Sequence, residues 1–154
     1  MSTQDAICAT ATLAHSLSIP VLPVRDDGSR APDVRSWGRC QGALPDDILL
    51  SVWFEREART GVALVTGQFS GIEALDFDDP DIYGQFKARA ADWGLSAVLE
   101  RIEAGYLEET PRAGHHLLYR PETVGRNTHL ALRPADNPQK PKVLIETRGE
   151  GGYV

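Results

Sequence analysis

Two aspartates separated by one residue, Asp76 and Asp78, lie in the run Leu75-Asp-Phe-Asp78. On an extended strand residues i and i+2 point to the same side, so the two carboxylates stand next to each other. Such a pair repels itself unless water, a cation or a basic partner offsets the charge. Hard divalent cations such as magnesium and manganese prefer carboxylate oxygen and suit it. The plainer alternative is a strand end running into an acidic loop, because Asp79 and Asp81 follow and Asp79-Pro80 marks a turn. A second run, Thr110-Pro-Arg-Ala-Gly-His-His-Leu-Leu-Tyr119, leads from a Gly-His-His turn into an apolar strand. His115 and His116 must point to opposite faces of it, so only one shares a site with a given strand neighbour. That histidine suits a donor to phosphate, or simply an exposed strand start. Neither cysteine nor His129 stands at zinc-ligand spacing from the pair. In a third run, Leu144-Ile-Glu-Thr-Arg-Gly-Glu-Gly-Gly-Tyr-Val154, Glu146 and Arg148 sit two residues apart in a strand ahead of a glycine-rich turn. That turn either lets backbone approach a ligand closely or closes a hairpin beside a strand-borne salt bridge.

The elements that must position these residues follow from periodicity. Residues 5–18 read as a helix, with Ile7, Ala11, Ala14 and Leu17 at helical spacing and Ser2, Thr3 or Asp5 as the cap. Residues 19–24 read as a short strand whose two prolines suit an edge. A turn-rich stretch covers 25–45, and acids in a first turn open a helix over about 46–56. Residues 61–66 and 72–78 read as strands in a hairpin-like pair. Helical spacing returns over 80–103, with a break near Gly94, and strands follow at 107–110, 116–119 and 143–147. The polar, proline-bearing stretch 120–142 is expected to be a functional loop.

The chain has 154 residues and a formal charge of −6, from 16 basic and 22 acidic side chains. That length suits one domain with a sizeable core, and 42% hydrophobic with 25% charged residues excludes a disordered or collagen-like chain. No apolar run approaches the roughly 20 residues of a membrane span, and no basic-then-apolar leader opens the chain. Cys8 and Cys40 are too few for a disulfide framework, which favours a reducing, cytoplasmic setting. Net acidity argues against a surface that grips nucleic acid all over. The charge is nevertheless uneven. Residues 73–81 hold five acids and no base, leaving −1 elsewhere, while residues 110–142 hold six Lys or Arg against two acids.

Taken in order, an Asp-x-Asp strand, a Gly-x-His turn entering a strand, and a strand acid followed by Arg-Gly-x-Gly-Gly-Tyr resemble the bifunctional DNA primase/polymerase N-terminal domain of the archaeo-eukaryotic primase superfamily. Upstream, Ile19-Pro-Val-Leu-Pro23 is similar to that family's opening strand and Arg30-Ala-Pro32 to its Lys-x-Pro turn. Trp37 and Trp53 match its aromatic positions, and Gly61-Val-Ala-Leu-Val-Thr-Gly67 matches its Asn-x-Gly-(apolar)-Thr-Gly strand. Arginine stands at 30 where the family usually has lysine, and Ala113 where it has the first of two glycines.

The resemblance implies an α+β fold in which an N-terminal α/β module packs on an RRM-like mixed sheet. It implies a single catalytic domain over 1–154, incomplete at its C-terminal end. Asp76, Asp78 and Glu146 would be the catalytic carboxylates, holding two divalent ions, Mg²⁺ or Mn²⁺. His116 would contact the phosphates of the incoming nucleotide, with Arg148 and Arg112 as further phosphate partners. The implied activity is template-directed nucleotidyl transfer from NTPs or dNTPs onto a DNA template and primer, in a phage, plasmid or integrated element, alongside a helicase. Two other classes remain open: a non-catalytic nucleic-acid-binding replication module, and a metal-dependent phosphodiesterase using the same carboxylates.

Overall fold

Ser2 opens the first helix, α1 (Thr3–Ser16), in a computed structural model that describes residues 2–57, 59–135, 137 and 139–154. The Ser2 hydroxyl accepts from the Asp5 amide (3.1 Å), and the Asp5 carboxylate accepts from the Ser2 amide (2.8 Å), so two orphan amides are satisfied reciprocally. Of the expected apolar stripe, Ala11 and Ala14 are buried, whereas Leu17 caps the helix end and is exposed. Strand β1 (Val21–Val24) then pairs antiparallel with β2 (Gly61–Leu64). The amide-less Pro23 is tolerated because β1 is an edge strand. Between these strands, the Asp46 carboxylate caps α2 (Asp47–Ser51) through the Leu49 amide (2.8 Å). The helix continues as a π-turn, Val52–Arg56, that buries Trp53 and Phe54 against α1 and β1–β2.

The expected hairpin between residues 61–66 and 72–78 does not form. The chain reverses there, but one bridge, Gly67 to Ile72, is all that joins the two arms. The second edge of β2 is taken by Tyr153 and Val154, with Leu64 and Val154 exchanging backbone hydrogen bonds of 2.7 and 3.0 Å. Strand β3 (Glu73–Phe77) instead enters the middle of another sheet.

That sheet has five strands in the order β4-β5-β3-β7-β6, with β4 at Leu107–Glu109, β5 at His115–Tyr119, β6 at Thr128–Arg133 and β7 at Lys142–Arg148. Every named pairing is antiparallel, so the sheet is not the mixed one expected from the sequence. The reason is local: β4–β5 and β6–β7 are hairpins, and β3 inserts between them antiparallel to both. Strand β6 also corrects the functional loop expected over 120–142. It lies on an edge with five of six residues exposed, which erases the alternation a sequence pattern depends on.

Helices α3 (Pro80–Asp92) and α4 (Ser96–Gly105) cover one face of this sheet. Asp79 caps α3 through the Asp81 amide (3.1 Å), and Gly94, at φ +72°, breaks the pair where the sequence places the break. Phe77, Leu117 and Ile145 pack on Tyr83, Ala90 and Leu99 beneath them. The other face packs Leu118 on the N-terminal core, and at its Asp76 end it looks across a cleft to the β1–β2 layer. The fold is therefore α+β, with two antiparallel sheets. Among the described residues no helix is long and apolar enough to cross a membrane.

Candidate active site

Strand register places five titratable side chains in one line across the open face. Asp76 on the central strand pairs directly with Glu146 on β7 and with His116 on β5. Beyond them, Glu108 on β4 pairs with His116, and His129 on β6 pairs with Glu146. Directly opposed residues share a face, so the row reads Glu108, His116, Asp76, Glu146, His129. His115 points the other way, as its position demands, and stacks on Tyr83 under the helices with ring centroids 4.4 Å apart.

The row is held together by ion pairs. His116 Nδ1 lies 2.6 Å from Glu108 Oε1, and its Nε2 lies 3.4 Å from Asp76 Oδ1. Arg148, two residues along β7 from Glu146, spans both central acids. Its Nε and Nη2 each reach Asp76 Oδ2 at 3.4 Å, and Nη2 reaches Glu146 Oε1 at 2.6 Å. His129 Nε2 stands 3.6 Å from Glu146 Oε2. Asp76, His116 and Glu146 are all under 9% exposed, so these charges are largely out of water and depend on one another.

Their protonation equilibria reflect that dependence. Burial works against the charged form of His116, but the hydrogen bonds and charges of Asp76 and Glu108 outweigh it and raise the imidazole to about 9. Burial likewise opposes ionisation of Asp76, yet His116 and then Arg148 hold its carboxyl below the usual range. Glu146 moves the other way. Burial raises it, and the nearby Asp76 and Asp78 charges add to the rise despite Arg148 and His129. Burial, rather than a surplus of negative charge, is therefore what keeps the Glu146 carboxyl high.

Of the residues singled out from the sequence, the fold brings together Asp76, Glu146, His116 and Arg148. Asp78 lies just beyond β3, exposed, its amide still donating to the Leu144 carbonyl (3.1 Å), close enough for its charge to act on Glu146. Arg112 is exposed at the tip of the β4–β5 turn and does not line the cleft. The glycines expected to admit a ligand serve chain packing instead. A side chain at Gly149 would meet the Gly125 carbonyl at 2.1 Å, and one at Gly114 would meet the Phe77 carbonyl at 2.2 Å.

Sequence reasoning missed Glu108 and His129 as members of the row. Glu108 was within reach of a register argument, since a hairpin turning at residues 110–114 sets Glu108 opposite His116. Arg30 reaches the site from the N-terminal layer and lines the same cleft of about 360 Å³ with Glu108, Asp76, His116 and Arg148. There the Glu108 carboxyl is held low, first by the His116 hydrogen bond, with the Arg30 charge adding to the effect. Arg30 is held in the left-handed region (φ +56°), and its carbonyl accepts from the Tyr153 hydroxyl at 3.3 Å.

Whether the site suits a divalent cation depends on its donors. Asp76, Glu146 and Asp78 supply carboxylate oxygens, the donors that hard divalent cations prefer, so the donor chemistry fits. Among the described residues, however, no three ligand-type side chains converge as a ready cluster. Arg148 occupies the position between the two central acids.

No curated protein gives a significant match to the sequence. A family match, by contrast, covers nearly the whole chain: residues 10–154 match the family described as bifunctional DNA primase/polymerase, N-terminal. A match of that extent, over both layers and every strand of the site, means that the chain belongs to the bifunctional DNA primase/polymerase N-terminal family.

Proposed function

We propose that residues 1–154 form one primase/polymerase catalytic domain that transfers nucleotides from NTPs or dNTPs onto a DNA primer strand, in the replication of a phage, plasmid or integrated element. The observation that carries this reading is the direct cross-strand pairing of Asp76 with Glu146 and with His116 on one uncovered sheet face. The five-stranded sheet would be the RRM-like catalytic layer, and the β1–β2 layer the wall that closes the nucleotide cleft. A helicase would supply unwound template, and the two unpaired cysteines suit a cytoplasmic setting.

In this reading Asp76, Asp78 and Glu146 hold Mg²⁺ or Mn²⁺, and these ions supply Lewis-acid activation of the primer hydroxyl and charge neutralisation at the leaving pyrophosphate. The chain's own residues do the rest. Arg148, whose guanidinium reaches both Asp76 and Glu146, would be the group to offer its fork to a phosphate oxygen. His116, kept cationic by Asp76 and Glu108, donates from Nε2 to phosphate. Arg112, outside the cleft, is left to contact the backbone of the template or primer.

A second reading has one observation in its favour. Arg148 and His116 already neutralise Asp76 without a metal, which suits a non-catalytic nucleic-acid-binding module. Incubation with primed and unprimed template, labelled NTPs or dNTPs, and Mg²⁺ or Mn²⁺ separates the possibilities. Extension that disappears in Asp76→Asn supports polymerisation. Retention of DNA without turnover supports the binding module, and degradation alone supports a phosphodiesterase. Absence of incorporation by well-folded protein overturns the main proposal.

A further inference from the structure

We infer that Glu108 is a positioning residue that fixes the His116 ring from the edge of the sheet, presenting Nε2 at the Asp76 end of the cleft to the phosphates of the incoming nucleotide. The inference rests on the polymerase reading for its ligand, but its geometry stands by itself. Strand β4 has three residues, Leu107–Glu109, and Glu108 is the only one of them that is not exposed.

Both oxygens of that acid are used. Oε1 takes the His116 Nδ1 hydrogen at 2.6 Å, and Oε2 accepts from the Tyr106 hydroxyl at 2.7 Å. Tyr106 thus pins the carboxylate, and the carboxylate pins the ring. Asp76 is a weaker anchor, 3.4 Å from Nε2 and shared with both contacts of Arg148. Whenever Asp76 is engaged elsewhere, Glu108 is the group that keeps the imidazole from rotating about its side-chain bonds. Locking one ring nitrogen so that the other is aimed is how carboxylates orient working histidines.

The test compares Glu108→Ala and Glu108→Gln with the wild type on a primed DNA template, and reads the His116 ring nitrogens by long-range ¹H–¹⁵N correlation at one fixed pH. Glu108→Ala is expected to raise the nucleotide KM roughly 10-fold, the size usual when the outer partner of a working imidazole is lost. Its kcat and primer-template affinity should stay near wild type, as befits a contact made equally in ground and transition states. Glu108→Gln, whose amide oxygen still accepts from Nδ1, should recover most of that loss. The ring signals should be single and sharp in wild type and averaged in Glu108→Ala. A lower kcat with unchanged KM, accompanied by a fallen Tm, would mean that Glu108 merely braces the sheet edge and would overturn the inference. An unaltered ring signature in Glu108→Ala overturns it too. Should wild-type protein incorporate no nucleotide at all, the polymerase reading fails, and the ring signature alone still decides whether Glu108 positions His116.

Discussion

The two sheets of this protein bury opposite kinds of side chain. The β1–β2 layer closes on Val21, Leu22, Val65 and Phe54, all apolar, each 2% exposed or less. The five-stranded sheet is apolar beneath α3 and α4, and Leu118 on its other face packs on the N-terminal core. Its open face buries Asp76, His116 and Glu146. Burial of apolar surface stabilises directly, whereas a buried ion-pair row roughly balances desolvation against attraction. One layer therefore supplies stability and the other holds charges that stability alone does not call for. The division assigns function to a face before any ligand is considered.

Substitutions that respond oppositely in the two layers would sharpen this contrast. On the proposed polymerase reading, Asp76→Asn or Glu146→Gln should reduce nucleotide incorporation by more than about 100-fold, beyond the effect of losing an outer partner. Each variant also leaves a buried cation without a partner and should lower Tm, but its folded fraction, assayed well below that Tm, should stay inactive, and incorporation that returns there would break the contrast. In the apolar layer the pattern should reverse: Phe54→Ala should cost about 3–5 kcal/mol in denaturant unfolding. Its folded fraction should retain nucleotide incorporation.

A pH series probes the row more finely. His116 is raised in the folded state to about 9, from an unfolded value near 6.5. Its stabilising contribution is thus complete below pH 6.5 and is lost as pH rises through 9. In metal-free buffer the stability advantage of wild type over His116→Gln, on the order of 1–3 kcal/mol, should shrink across that window. An advantage that is flat with pH would show that the row does not hold the imidazolium. The smallest effect is expected at the hairpin leading into it, where Ala113 has φ +59°. Ala113→Gly should stabilise by about 0.5–1 kcal/mol in chemical denaturation by relieving the left-handed backbone.

Much of the fold was legible because it is local. Gly94 broke the two helices, the 2-residue period separated His115 from His116, and the spacing of Glu146 and Arg148 put both on one face of β7. What escaped was the choice of strand partner. The turn between β2 and β3 carries hairpin chemistry, but β3 finds β5 and β7 instead, through pairings that no local pattern encodes. The row shares that fate. Asp76, His116 and Glu146 could be singled out one at a time, yet their alignment with Glu108 and His129 exists only in the register of five strands. Arg30 joins them from the other layer, and Arg112, equally basic in sequence, ends up outside.

The central position of β3 also sets an order of events. Asp76 and Arg148 stand 72 residues apart in the chain, and Glu146 arrives on the same late strand. A nascent chain emerging N-terminus first exposes Asp76 and Asp78 well before β7 exists. Until then Asp76 has neither Glu146 beside it nor Arg148 to offset its charge. The second acid and the neutralising arginine are thus delivered by one strand at one moment. Asp76 and Glu146 never stand paired without Arg148 between them.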